Sequence, residues 1–276
     1  MTFLFSWLIL IPYILSQWSI LPKTKSFDIF FVANAFVGPM LSGYIMIRTL
    51  EGKEAWRNIR KSFRLVRVGL KWYIFALLII PALMFFGVVL LNGGMPAFQG
   101  LTFLFFATHP LYMVAVFFGG GPFPEEIGWR GFALPQMQSK FGPLKATLLI
   151  GVLWALWHLP HFLTPAQKGG PGSDLSLLYV NLPIFIVMCL AISIILTWVY
   201  NCNHGNLFIV MLVHASINTF SLIQPYLANP DLKSSDLIFM IGLVLFALIL
   251  LFLTHGKLGY EYFSKSEFGN YENISK

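Results

Sequence analysis

Six residues in three separate stretches of the chain could together hydrolyse an amide bond. They are Glu125, Glu126 and Arg130 in PEEIGWRG, His158 in WALWHLP, and His214 and Asn218 in VHASIN. All three stretches lie in or beside apolar runs that are long enough to cross a bilayer. An ionisable side chain is costly in that setting and is associated with function. We therefore take these six residues as the candidate site.

Helical spacing gives the two glutamates different roles. Adjacent residues on a helix point about 100° apart, so Glu125 and Glu126 cannot serve the same purpose. Glu126 and Arg130 are four residues apart and are predicted to form an ion pair. Glu125 is then left to point into a cavity. The alternative is that both acids only offset the dipole at the N-terminus of a helix.

The remaining three candidates supply a base and hydrogen-bond donors. His214 and Asn218 are four apart on one helix, so both could donate to the same oxyanion. His158 follows Trp154 and Trp157 in an apolar span and could assist a carboxylate in deprotonating water. Each also has a structural alternative, because His158 could bond a backbone carbonyl and Asn218 could join two helices. With Glu125, the set suits attack by water on an amide carbonyl.

Other motifs narrow the chemistry. His161 follows His158 by three residues and is either a second polar group of the site or an interfacial residue, whereas His109 is interpreted as structural. The chain has no GxSxG motif and no serine or cysteine in a recognised nucleophile setting, which disfavours covalent acyl transfer. It also lacks HExxH. No cofactor is expected, with zinc as the alternative, since Glu125, His158 and His214 are all possible zinc ligands.

Composition identifies the setting of these residues as a membrane. The chain is 57% hydrophobic and 11% charged, with a mean hydropathy of +0.75, which a soluble domain would not tolerate at its surface. Continuous apolar runs favour helices over barrel strands. We predict an all-α polytopic bundle of about eight transmembrane helices, near 3–21, 28–48, 70–91, 101–120, 144–163, 178–200, 206–223 and 236–255.

The whole chain, 1–276, is interpreted as one integral-membrane domain with a motif-bearing core at 123–218 and a short cytoplasmic tail at 256–276. Glycines 119–121 and Pro122 are predicted to break the fourth apolar run, and a new helix is predicted to open at Pro124 and to end near Lys140. The stretch from Gly52 to Lys71 is predicted to be an amphipathic helix on an anionic leaflet, or else a solvated basic connector.

The placement of basic residues predicts the orientation. Fourteen of the 18 Lys and Arg residues fall in alternate loops or flanks on one side, and the other four are Lys23, Lys25, Lys168 and Lys233. By the positive-inside rule, both termini are expected to be cytoplasmic in a multi-pass protein of the cell membrane. We also expect the cavity to open toward that side. The net charge of +7 is thus interpreted as a signal for membrane orientation. No nucleic-acid partner is expected.

The stretch PEEIGWRGFALPQMQSKFGPLKATLLIGVLWALWHLPHF resembles the central region of the CAAX protease and bacteriocin-processing (CPBP or Abi) family of intramembrane proteases. The family motifs EExxxR, aromatic-xxxH and HxxxN are matched by Glu125, Glu126 and Arg130, by Trp154 and His158, and by His214 and Asn218. The clear similarity covers about 123–218. Many members, including the Ras-converting CAAX endopeptidase, have Phe where this chain has Trp154, a change expected to preserve packing.

The resemblance implies a metal-independent glutamate-type endopeptidase that acts on a peptide or protein substrate at the lipid bilayer. It implies that Glu125 and His158 activate the water. It further implies that His214 and Asn218 stabilise the oxyanion and that Glu126 and Arg130 support the local structure. The alternative is a non-catalytic membrane factor, such as a bacteriocin immunity protein or a scaffold. A transporter is less consistent, because the membrane acids form no distributed relay.

Overall fold

The computed structural model describes residues 1–63, 68–167, 169–174, 178–234 and 237–266. Within these residues the regular structure is helical, and the sole strand-like pairing is an isolated bridge between Phe98 and Leu227. The main helices are α1 (Thr2–Gln17), α2 (Lys25–Lys61), α3 (Leu70–Asn92), α4 (Phe103–Gly119), α5 (122–141), α6 (Pro143–Trp157), α7 (Leu178–Cys202), α8 (Leu207–Phe220) and α9 (Leu237–Thr254). The all-α prediction is confirmed.

Seven apolar helical stretches in the described residues are long enough to cross a bilayer, when α4 and α5 are counted as one. Each of the eight predicted windows coincides with a helix, but α1 has 16 residues and is shorter than a typical span. Short 3-10 helices extend α6 through Leu159–Leu163 and α8 through Ser221–Tyr226. The chain is a multi-pass membrane protein built as a helical bundle.

The break before α5 lies where the glycines predicted it. Gly121 has a φ of +105°, a conformation that side chains rarely adopt, and α5 begins one residue later at Pro122. Its middle turn, Trp129–Ala133, is a π-helix, and its last segment is Leu134–Phe141. Gly142, with a φ of +78°, then reverses the chain into α6. Helices α5 and α6 therefore form a tight hairpin.

Small residues let α5 approach α2 closely. A Cβ added to Gly128 would lie 2.4 Å from the carbonyl oxygen of Pro39, and one added to Gly43 would lie 2.9 Å from the Cα of Gly128. Close backbone approach at small residues is the usual way in which helices associate within a bilayer. This contact with α2 holds α5 at Gly128, about one turn after Glu125. It therefore positions the two glutamates of the candidate site.

The two ends of the bundle differ in charge. At one end, which we call the basic end, α2 bends at Gly52 into the basic helix Gly52–Lys61, and the Leu207 N–H donates to the Ser62 carbonyl at 3.1 Å. At the opposite end, the Trp18 indole donates to the Leu163 carbonyl at 2.8 Å. Residues 64–67 of the predicted amphipathic helix and residues 267–276 of the predicted tail lie outside the described residues.

Candidate active site

Four of the six candidate residues line one cavity of about 390 Å³ within the bundle. They come from the start of α5, the end of α6 and the second half of α8, and are Glu125, His158, His214 and Asn218. Glu126 and Arg130 do not line it and are completely buried beside it. The structure thus separates the six residues into a group that faces the cavity and a pair that supports it, as the helical spacing predicted.

Glu125 is held by a contact that the sequence did not reveal. Its Oε2 accepts a hydrogen bond of 2.7 Å from the indole Nε1 of Trp154. The Trp154 ring also lies edge-on to His214, with 5.3 Å between ring centroids, and beneath the Arg130 guanidinium at 5.1 Å. The aromatic position of the second motif therefore contributes a polar donor in addition to packing. A phenylalanine at this position has no N–H and could not donate to Glu125.

The predicted ion pair is present and forms part of a larger buried network. Arg130 Nη1 donates to Glu126 Oε1 at 3.0 Å, and Nη2 donates to Ser193 Oγ at 3.0 Å. The same Glu126 oxygen lies 2.8 Å from Nδ1 of His214. Glu126 therefore links the arginine to a cavity-lining histidine. Ser193 carried no motif, and its burial in α7 could only be found from the fold.

In both His158 and His214 the Nδ1 atom is hydrogen-bonded to a protein group, which leaves Nε2 available toward the cavity. His158 Nδ1 lies 2.8 Å from the Trp154 carbonyl, which can only accept, so Nδ1 carries a proton and Nε2 of the neutral ring is free to accept one. His214 Nδ1 donates to the Glu126 carboxylate in the same way. Its Nε2 can donate only when both ring nitrogens carry a hydrogen.

The other polar candidates have distinct positions. Asn218 Nδ2 donates to the Gly120 carbonyl at 3.2 Å, which uses one of its two amide hydrogens. His161 is buried and lines the same cavity, with its ring centroid 5.1 Å from that of His158, so it is a cavity residue rather than an interfacial one. His109 lies on α4 outside the cavity lining, where its ring packs on Phe105.

Gly121 brings the backbone close to the Glu125 carboxyl. A Cβ at this position would lie 2.3 Å from Glu125 Oε1, and the φ of +105° is itself unfavourable for other residues. Gly121→Ala is therefore expected to displace the carboxylate and to lower stability by ~1–3 kcal/mol. Turnover and the melting temperature of the purified protein would measure the two effects. Gly119→Ala is the matched control, because its added Cβ meets nothing within 4 Å; an equal loss in both variants would contradict the prediction.

The described residues contain no group of three or more His, Cys, Asp and Glu side chains that could hold a metal ion. The three possible zinc ligands each have a protein partner: Trp154 for Glu125 and for His158, and Glu126 for His214. The absence of a cofactor stays a prediction, for which an experiment is given below.

The cavity extends away from the basic end, contrary to the expectation from the sequence. Its lining includes residues at the opposite end of the bundle, from the start of α2, the start of α7, and the segments that follow α6 and α8: Phe31, Val32, Gln167, Asn181, Ser221 and Gln224. No described residue of the basic helix or of the turn at 203–206 lines it. The expectation placed the helix that starts with Glu125 and Glu126 on the cytoplasmic flank, whereas α5 is packed inside the bundle.

Fold and site together define a class: a multi-pass α-helical membrane protein with a buried glutamate, three histidines and an asparagine around one cavity. The comparisons with known proteins agree with this class. Residues 106–220 match the family model described as type II CAAX prenyl endopeptidase Rce1-like. Over 187 residues, 66% of this chain and 68% of the relative, the chain is 27% identical to CAAX prenyl protease 2 of Methanococcus maripaludis.

These two findings confirm the resemblance to the CPBP family of CAAX proteases. The matched region contains all six candidate residues, from Glu125 to Asn218, together with α4 through α8. The similarity therefore covers the candidate residues, whereas the lining residues from α2, α3 and α9 lie outside it, and it supports a membrane-embedded protease.

Proposed function

We propose that the chain is an intramembrane endopeptidase that hydrolyses a peptide bond of a membrane-associated or lipidated substrate. The observation that carries the proposal is the meeting of Glu125, His158, His214 and Asn218 on one cavity inside a membrane bundle. A carboxylate, a histidine with a free Nε2 and two further donors are the groups that water-mediated amide hydrolysis requires. The resemblance to CAAX proteases over residues 106–220 supports the same activity.

In the proposed reaction, Glu125 removes one proton from a water molecule, and Nε2 of His158 accepts a hydrogen bond from the O–H that remains. The oxygen attacks the carbonyl carbon of the substrate, and negative charge develops on the carbonyl oxygen. The imidazolium of His214 and the remaining amide hydrogen of Asn218 donate to this oxyanion. The protonated carboxyl of Glu125 then returns its proton to the leaving nitrogen as the peptide bond breaks.

Glu126 and Arg130 have a supporting role in this scheme. The Glu126 carboxylate accepts from His214 Nδ1, which orients the ring with Nε2 toward the cavity. Arg130 donates to the same Glu126 oxygen, so the buried carboxylate is paired with a positive charge. Neither residue lines the cavity, so neither is assigned contact with the substrate.

The purified protein in liposomes, incubated with a library of membrane-associated peptides, tests the proposal. New peptide termini that require His158 and His214 would support it, whereas a complete absence of cleavage would contradict it. If His158→Ala and His214→Ala variants instead protect cells from a bacteriocin as well as the wild type does, the alternative of an immunity factor is favoured.

Trp154→Phe is expected to lower kcat by about 10- to 100-fold, because a hydrogen bond to a charged group contributes ~1.5–3 kcal/mol and this one positions the Glu125 carboxylate. KM should change little, since the ring and its packing are retained. Trp157→Phe is the matched control: Trp157 Nε1 is buried without a hydrogen-bond partner, so the loss there should be smaller. A larger effect on KM than on kcat would assign Trp154 to substrate packing instead.

We expect peptide cleavage to survive extensive treatment with a metal chelator, because the proposed reaction uses only side chains. Steady-state turnover of chelated and untreated protein in the same liposomes would measure this. Loss of turnover followed by recovery on addition of zinc would show that zinc takes part.

A further inference from the structure

The cavity is closed toward the basic end of the bundle. At the opposite end its lining residues Gln167, Asn181 and Gln224 are partly exposed, and we call this the open end. Gly131, six residues after Glu125, lies at the level of Leu207, since a Cβ added to it would be 3.3 Å from Leu207 Cδ1. At 1.5 Å per residue, Glu125 is therefore about 9 Å from that level along α5. Between them lie Glu126 and Arg130, both completely buried.

Aromatic side chains close the same end beside the loop that joins α4 to α5. Phe123 packs against Phe63 and Phe117, with centroid separations of 6.1 and 6.5 Å, and Phe117 packs against Phe208 at 5.7 Å. Phe63 and Phe208 flank the hydrogen bond from Leu207 to Ser62 at the basic end. These four phenylalanines and the buried ion pair separate the cavity from the basic end.

The open end is polar but uncharged. Gln167, Asn181, Ser221 and Gln224 line the cavity at the end of the bundle opposite the basic helix. Glu125 is the sole Asp, Glu, Lys or Arg side chain among the described lining residues, and most of the rest are apolar or aromatic. An uncharged, apolar peptide in an extended conformation fits this lining, because the amide side chains can bond its backbone.

The charge of the two ends fixes which side of the membrane the open end faces. Lys53, Arg57, Arg60 and Lys61 lie on the basic helix, and Lys71 and Lys257 lie at the same end. The opposite end carries Lys23 and Lys25. Short loops rich in Lys and Arg remain cytoplasmic, so the open end faces away from the cytoplasm.

We infer that the site takes its substrate from the non-cytoplasmic face of the membrane, as an apolar, uncharged segment of a polypeptide exposed on that face. That the bound polypeptide is a substrate rests on the proposed function. The direction from which the cavity is accessible does not depend on catalysis. It excludes as substrate a peptide that remains entirely in the cytoplasm.

Cysteine labelling tests the direction of access without reference to activity. In a chain with Cys189→Ser and Cys202→Ser, single substitutions Gln167→Cys and Asn181→Cys would report the open end. Lys23→Cys and Lys53→Cys, both at exposed positions, would report the two ends of the bundle. With a membrane-impermeant maleimide, we expect labelling of the first three in intact cells, and of Lys53→Cys only in inverted membrane vesicles.

Three results would overturn the inference. Labelling of Gln167→Cys and Asn181→Cys from the same side as Lys53→Cys would place the opening at the basic end. Labelling of Lys53→Cys in intact cells, and of the others only in inverted vesicles, would show a cytoplasmic opening. No labelling of the two cavity positions in either preparation, with Lys23→Cys labelled, would show that the cavity is closed at both ends.

A second arm separates this inference from the proposed function. One uncharged reporter segment, fused to a single transmembrane helix, is presented on either the non-cytoplasmic or the cytoplasmic face. We expect cleavage only in the first arrangement. Cleavage only in the second would overturn the inference while leaving proteolysis intact, and cleavage of neither, with the expected labelling pattern, would count against proteolysis alone.

Discussion

Replacing Glu125 with Gln is expected to reduce kcat for peptide cleavage by about 10²- to 10⁴-fold, the contribution typical of a positioned general base. The amide keeps the size of the side chain and can still accept from Trp154 Nε1 through its oxygen, so the cavity should be preserved. It cannot remove a proton from water. Single-turnover cleavage of a peptide identified from the library, in liposomes at matched protein levels, would measure the change.

The matched control is Glu54→Gln, the same chemical change at an exposed glutamate. Glu54 pairs with Arg57 on the surface of the basic helix, with both side chains about two-thirds exposed. We expect its turnover to equal that of the wild type. Unchanged turnover in Glu125→Gln, with an unchanged melting temperature, would remove Glu125 from the reaction and with it the proposed mechanism.

Arg130→Met is expected to lower the free energy of unfolding by ~3–5 kcal/mol, because it leaves a buried carboxylate without its charged partner. Glu126 and Arg130 are both fully buried, and the arginine also donates to Ser193. A denaturant titration in detergent micelles would measure the loss. Turnover should fall as well, since the His214 ring is bonded to the same Glu126 oxygen.

Two further variants show whether the cost arises from the unpaired charge. The double variant Glu126→Gln with Arg130→Met should recover part of the stability, because no isolated charge remains buried. Arg57→Met, which breaks an exposed pair of the same residue types, should cost only ~0–1 kcal/mol. If the double variant is less stable than Arg130→Met alone, packing rather than charge governs this region.

Local features of the site followed from sequence because they depend on spacing within one helix. The Glu126–Arg130 pair, the break at Gly121 and the end of α5 before Gly142 were each predicted from neighbours in the chain. The eight apolar windows also located the helices. Helical geometry and the cost of charge in a bilayer suffice for such conclusions.

Features that depend on contacts between helices could not be obtained in this way. The hydrogen bond from Trp154 to Glu125 joins α6 to α5, and the one from Arg130 to Ser193 joins α5 to α7. No motif marks Ser193. The direction of the cavity was mispredicted because the helix with Glu125 and Glu126 was placed on the flank of the bundle from the charges of its neighbours. Only packing shows that α5 lies within the bundle.

The position of Arg130 four residues after Glu126 has a consequence for the biogenesis of the protein. α5 precedes α8 in the chain, so while α5 is being synthesised His214 is not yet present to offset the charge of Glu126. An i,i+4 pair forms within the helix itself and requires no later partner. The arginine thereby offsets the charge of Glu126 within α5, and His214 joins a pair that is already neutralised.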